Sequence, residues 1–272
     1  MPQARRRGAQ RSDLGARVAA GVPAALFAIF IVASGGPVFA AGAAVLGLIC
    51  LHELYALYAD LRPARLAGFL GLIGLVVAAA AGDTGDVLLV LAATVALVFL
   101  LTIAGPSIEG GTLGMAVVLL GVGWVGVGIA HAVLLRELPH GGGIVADVLV
   151  GTFVGDTGAY FGGRALGHRR LAPRLSPNKT VEGLLAGIAT AILAVWIAGL
   201  YQDWLSGTDA LLLGVGVALA APAGDLFESF IKRSAGTKDT GRLFGAHGGA
   251  LDRLDAILFT LVVGYYVWSG MV

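Results

Sequence analysis

Charge is scarce in this chain: 13 % of its 272 residues are Asp, Glu, Lys or Arg, against about a quarter in an ordinary soluble domain. Cysteine is scarcer still, since Cys50 stands alone. No intramolecular disulfide can form, and sulfur chemistry does not report the redox compartment. The net charge is +1, and no basic-aromatic pattern runs along the chain, which argues against a nucleic-acid partner. The five histidines show no zinc spacing. No serine stands at a sharp glycine elbow, so a Ser-His-Asp hydrolase has no foothold. Internal repeats, low-complexity linkers and polar stretches long enough for a soluble domain are all missing.

Apolar runs fill the space. The chain is 57 % hydrophobic, its mean hydropathy is +0.88, and several runs reach the ~20 residues that cross a bilayer. The fold class expected is therefore all-α, a polytopic membrane bundle. Nine spans are read, at about 18–34, 38–58, 66–82, 86–104, 113–135, 144–162, 181–202, 209–227 and 254–271. The 43 glycines suit close helix packing in lipid. Residues 1–17 form a polar tail with Arg5, Arg6, Arg7, Arg11 and Arg17. A cleaved signal peptide is the alternative there, but the spans that follow favour a retained first helix. With the N-terminus in the cytoplasm, the inner segments 1–17, 59–65, 105–112, 163–180 and 228–253 hold every Lys and Arg but Arg136, the asymmetry of a cytoplasmic face. The organisation expected is a tail (1–17), N-terminal transmembrane helices (18–140) and a C-terminal catalytic transmembrane region (141–272).

Chemistry concentrates in that last region. Residues 225–255, DLFESFIKRSAGTKDTGRLFGAHGGALDRLD, lie between two apolar runs yet carry five acidic and five basic residues and His247. Charges at a membrane edge are costly without partners. Asp225 and Asp252 fall at the inner ends of adjacent spans, and Asp252 and Asp255 are three apart on one helical face. Such carboxylates suit a hard divalent cation, Mg²⁺ for instance, completed by water and substrate phosphates. The alternative is an ion-pair network with Lys232, Arg233 or Arg253. Lys232, Arg233, Lys238 and Arg253 are donors suited to phosphate oxygens, with membrane-surface anchoring the plainer role for the first two. Asp239 joins the carboxylates, and His247 is a phosphate donor or an ordinary loop residue.

Two further stretches join it. In GTFVGDTGAYFGGRALG (151–167), Asp156 lies inside an apolar span, where an ionisable residue marks function unless it only pairs a neighbouring cation; it is counted among the metal candidates. In RLSPNKTVEG (174–183), Ser176 and Asn178 are short polar side chains before a helix that Thr180 can cap; the plainer role is an ordinary Ser-Pro-Asn turn with Lys179 as a surface anchor. Free N–H groups at the helix start, with Lys179, suit an anion. Glu182 either supports the helix start or reaches a metal. Upstream, Glu53 in LHELYALY reads as a helix-end carboxylate or as part of the site.

The order Ser229, Lys232-Arg233, Lys238-Asp239, Gly241, His247-Gly248-Gly249, Asp252-Arg253, Asp255 resembles the signature of CDP-diacylglycerol synthase (phosphatidate cytidylyltransferase), and DTGAY, GR and SPNKTVEG resemble segments of that family in the same order. Two positions depart from it: Ala246 stands for the usual glycine, and Ala250 for a larger aliphatic. The resemblance covers about residues 150–260. It implies the reaction CTP + phosphatidate → CDP-diacylglycerol + pyrophosphate, with Mg²⁺ on the carboxylates matching Asp225 and Asp252. It implies Lys232 and Arg233 as catalytic, and Ser176, Asn178, Lys179, Lys238, Asp239, His247 and Arg253 at the substrates. It also implies a homodimer in the inner, cytoplasmic membrane. A CTP-dependent lipid kinase and a non-enzymatic transporter are the competing readings.

Overall fold

The computed structural model describes residues 21–105, 107–241 and 248–272; the basic tail, Arg242 and His247 lie outside the described residues. Helices α1 (Gly21–Ser34), α2 (Gly36–Leu57), α3 (Arg65–Ala81) and α4 (Thr84–Ile103) come first. Next is a long rod made of α5 (Gly111–Gly121), a π-helical turn (Val122–Gly126) and α6 (Val127–Glu137). Then follow α7 (Gly141–Leu166), a hairpin of β1 (Arg170–Ala172) and β2 (Ser176–Thr180), α8 (Val181–Gly199), α9 (Gly207–Ser234) and α10 (Leu251–Ser269). The all-helical membrane class is borne out. Among the described residues six helices are long and apolar enough to cross a membrane, with the α5–α6 rod counted as one, and α1 and α3 are shorter apolar helices.

Apolar side chains cover the outside as well as the core. In α4 only 17 % of the most apolar window is buried, and Leu88, Leu89, Phe99 and Leu100 point outward. Such a surface is stable against lipid tails and not against water. Cys50, Leu51, Leu54 and Tyr55 of α2 are wholly buried in the core.

Glycine sets how closely the C-terminal helices approach. Gly155, Gly158 and Gly162 of α7 face Gly187, Thr190 and Ala186 of α8, and a Cβ on Gly187 would stand 2.9 Å from both the Gly155 carbonyl oxygen and the Ala159 methyl. The backbones thus meet without intervening side chains, as in other small-residue membrane seams. At the α9–α10 crossing a Cβ on Gly224 would lie 2.6 Å from the Asp255 carbonyl oxygen. That contact brings the residues after Gly224 beside the start of α10.

Connections gather at two ends. At one end, Tyr58 Oη donates to the Ile231 carbonyl at 3.2 Å and meets Ser234 Oγ at 2.9 Å, and Gly114 packs on the Leu61 carbonyl. At the other, Arg136 Nε donates to the Val32 carbonyl at 3.1 Å, Trp268 Nε1 donates to the Pro139 carbonyl at 2.8 Å, and His140 stacks on Trp204 with ring centroids 4.4 Å apart.

Three expectations change in detail. Helix α9 runs seven residues past its expected end at 227, through Pro222 and on to Ser234. Lys232 and Arg233 therefore stand on its last turn and not in a loop. The missing N–H of Pro222 interrupts one hydrogen bond, and the Glu228–Lys232 pair four residues apart supports the turns beyond it. Ser176 and Asn178, expected in a turn, lie in strand β2, where Ser176 pairs with Ala172 and Thr180 with Arg170. Pro177 is tolerated because a two-stranded hairpin has only edges. The fifth span is the α5–α6 rod, whose glycine-rich middle takes the π-helical turn.

Replacing Gly187 with Leu should separate α7 from α8 and destabilise the folded chain by about 1–3 kcal/mol or more. Gly123→Ala, at a glycine with open space around it, should be close to neutral. Unfolding titrations in mixed micelles measure both, and equal midpoints for the two variants would contradict a seam that needs glycine.

Candidate active site

The site grows from the C-terminal end of α9, the N-terminal end of α10 and the β1–β2 hairpin. Lys232, on the last turn of α9, is the hub. Its Nζ lies 2.5 Å from Glu228 Oε2 and 2.8 Å from Asp252 Oδ1. Glu228 is 1 % exposed and Lys232 14 %, so the ammonium and its two carboxylates form a nearly dry group. Glu228 Oε1 is buried and has no hydrogen-bond partner among the described residues.

Asp252, in the first turn of α10, uses both oxygens. Oδ1 accepts from Lys232, while Oδ2 accepts from Gly249 N at 2.7 Å, Thr240 N at 3.0 Å and Thr240 Oγ1 at 3.0 Å. The ion-pair alternative raised from the sequence is thus the arrangement adopted at Asp252. Gly248 has φ +81°, and a Cβ there would strike the Asp252 carboxylate. Glycine at 248 therefore serves both the left-handed backbone and the wrap around that side chain.

Asp225, three residues before Glu228 on α9, is partly open and forms a salt bridge with Lys179 of β2. Asp156, exposed on α7, and Asp255, on α10, each lie within electrostatic reach of Asp225. Asp156 and Asp255 thus lie near Asp225. Asp252 is turned into its hydrogen bonds. Among the described residues no set of three His, Cys, Asp or Glu side chains is arranged to hold a metal ion.

Arg233 ties the hairpin to α9. Its Nε donates to the Leu175 carbonyl and its Nη1 to the Thr237 carbonyl, each at 3.2 Å. These bonds leave other guanidinium donors for an anion. Lys238 and Asp239 are exposed on the connection after α9, and Arg253 is exposed on α10. Ser176 is half-buried and Asn178 exposed on the hairpin. Thr180 caps α8 as expected, accepting from Gly183 N at 3.1 Å. Glu182 anchors the hairpin's entry, accepting from His168 N at 3.0 Å, Arg169 N at 3.1 Å and Arg169 Nε at 2.9 Å.

Glu53 has a larger part than its sequence context announces. From α2 its carboxylate accepts from Ala250 N at 3.0 Å, Leu251 N at 2.9 Å and Thr240 Oγ1 at 3.3 Å. It caps α10, whose own N-cap position, Ala250, offers no side-chain acceptor. Two signals pointed this way: an acid in an apolar run needs a partner, and a helix opening on alanine needs a cap. Neither says that the two needs meet across 197 residues.

A family model described as "Cytidylyltransferase family" matches residues 15–270. The chain is 37 % identical over 151 residues to the uncharacterized protein YnbB of Escherichia coli (strain K12), covering 53 % of this chain and 51 % of YnbB. It is 37 % identical over 163 residues to a phosphatidate cytidylyltransferase of Pseudomonas aeruginosa, 58 % of each chain. With a phosphatidate cytidylyltransferase of Haemophilus influenzae it shares 39 % over 123 residues, 43 % of each chain. The chain thus spans about half the length of the curated relatives it matches.

Removing the cation from a buried group is expensive. Lys232→Met should destabilise the chain by about 3–5 kcal/mol, because Glu228 and Asp252 lose their counter-charge. Glu228→Gln in the same chain should recover part of that loss. A double-mutant cycle from micellar unfolding measures the coupling, and additive effects would dismiss the hub.

Proposed function

Matched over residues 15–270, this chain belongs to the cytidylyltransferase family, and on that premise we propose that it transfers the cytidylyl group of CTP to phosphatidate, giving CDP-diacylglycerol and pyrophosphate. The names of the Pseudomonas and Haemophilus relatives support that pair of substrates. The observation that carries the reading is the meeting of Lys179, Asp225 and Asp255, from three separate elements, beside the Lys232 hub. A lipid substrate must arrive through the bilayer and a nucleoside triphosphate through water. A charged site at the membrane's inner level serves both.

The same reading has nine crossings in the cytoplasmic membrane with the N-terminus inside. Its support is that Lys179, Lys232, Arg233 and Lys238 collect at the end that holds the site, while Arg136 sits with the opposite connections. That is the bias of an inner face.

The donor set suits Mg²⁺ by chemistry, since hard carboxylate oxygens prefer it. Asp225, with Asp156 and Asp255 near it, would hold the ion, and Asp252 keeps Lys232 and Thr240 in place. When bound, the ion supplies charge neutralisation for an in-line displacement. Lys179, released from Asp225, would turn to a phosphate. Arg233, steadied by two carbonyls, points its remaining donors outward, and Lys238 and Arg253 add positive charge. Ser176, Asn178 and Asp239 lie at the rim, where the nucleotide arrives. A phosphatidate oxygen attacks the α-phosphorus of CTP, its bond to the β-phosphate oxygen breaks, and pyrophosphate departs. The attacking monoester has a second pKa of about 6, so it is ionised at neutral pH and needs no strong base.

Incubating the purified chain in micelles with CTP, phosphatidate and Mg²⁺ should release one pyrophosphate per CDP-lipid formed. Chelating the metal should stop turnover, and Asp225→Asn should lower it by about 100-fold or more in a protein that still folds. CDP with a newly phosphorylated lipid alcohol would mark a kinase instead. Solute flux across liposomes without CTP consumption would mark a transporter.

A further inference from the structure

Described residues of the charged stretch 225–255 are tied together from outside it. Glu53 belongs to α2, a helix of the half of the chain that otherwise carries little chemistry, and it is 7 % exposed. Its carboxylate grips both flanks of residues 242–247. On the near flank it accepts from Thr240 Oγ1, and on the far flank from the amides of Ala250 and Leu251. Two glycines make room for it. A Cβ at Gly241 or at Gly249 would run into the Glu53 carboxylate. Asp252 Oδ2 holds the same two flanks, accepting from Thr240 and Gly249. Thr240 Oγ1 thus lies between the two acids, at 3.3 Å from Glu53 Oε2 and 3.0 Å from Asp252 Oδ2.

We propose that Glu53 is a positioning residue for the transfer reaction, a buried clasp that sets the start of α10 and, through it, Asp252 and Asp255. The inference rests on the function proposed above and adds a residue from the opposite half of the chain. Glu53 acts only through what it holds, Thr240 on one side and the amides of Ala250 and Leu251 on the other. An acceptor at a helix N-terminus answers free N–H groups and the positive end of the helix. Losing it lets the first turn of α10 shift, and Asp252 shifts with it away from Lys232. Carboxylate placement around Asp225 then loosens. The signature of that failure is weaker metal binding and slower chemistry, with lipid binding spared.

The test uses the full chain in micelles and two variants. Glu53→Ala removes the clasp, and Glu53→Gln keeps its shape while losing its charge and one acceptor. Amide exchange at residues 240 and 249–251 should speed up at least about 10-fold in Glu53→Ala, with a smaller rise in Glu53→Gln. Turnover number should fall by about 10- to 100-fold, the range typical of residues that orient a metal's ligands, with KM for phosphatidate unchanged and half-saturating Mg²⁺ raised. Exchange at the wild-type rate would overturn the proposal. So would an activity loss that merely follows the unfolded fraction at unchanged Mg²⁺ dependence. If the wild-type chain releases no pyrophosphate, the functional reading fails, and the exchange measurement still judges the clasp.

Discussion

Lys232 draws Glu228 of its own helix and Asp252 of α10 onto a single ammonium, in a place that is almost dry. A lone charge there is prohibitive, and a group of three is stable only if its geometry is held. Much else in the C-terminal half follows from that requirement. Gly224 lets α9 and α10 close on each other. The Gly249 amide and Thr240 occupy the oxygen of Asp252 that Lys232 leaves free. Arg233 on the next position reaches outward and fastens the hairpin. The hairpin in turn brings Lys179 to Asp225.

The arrangement divides labour between two kinds of carboxylate. Asp252 and Glu228 are consumed by structure, whereas Asp225 and Asp156 are accessible. Asp225 is paired with Lys179 on a separate element, the hairpin.

Much of this was legible before any coordinates. Helix positions followed from apolar runs alone, because length and hydropathy decide them in lipid. The charged stretch stood out because charge is so rare elsewhere. What the sequence hid was which partner each charge would take. Asp252 reads equally as a metal ligand or as a partner for Lys232, since both roles ask for one acid near a helix start. The end of α9 was hidden because Pro222 and a sudden run of charge resemble a boundary, and only the buried Glu228–Lys232 pair explains why the helix continues. Strand β2 was hidden because Ser-Pro-Asn suits a turn, and its partner β1 has only three residues. Glu53 was visible as an oddity, but its hydrogen bonds join residues nearly 200 positions apart, beyond any local pattern.

The solitary sulfhydryl has a practical sequel. Cys50 sits at 0 % exposure inside α2, shielded from thiol reagents while the fold holds. Any cysteine introduced on the hairpin or at a helix end would therefore be labelled alone, without first stripping the native residue. Fluorophores or spin labels can then follow movements around the site in an otherwise unaltered chain.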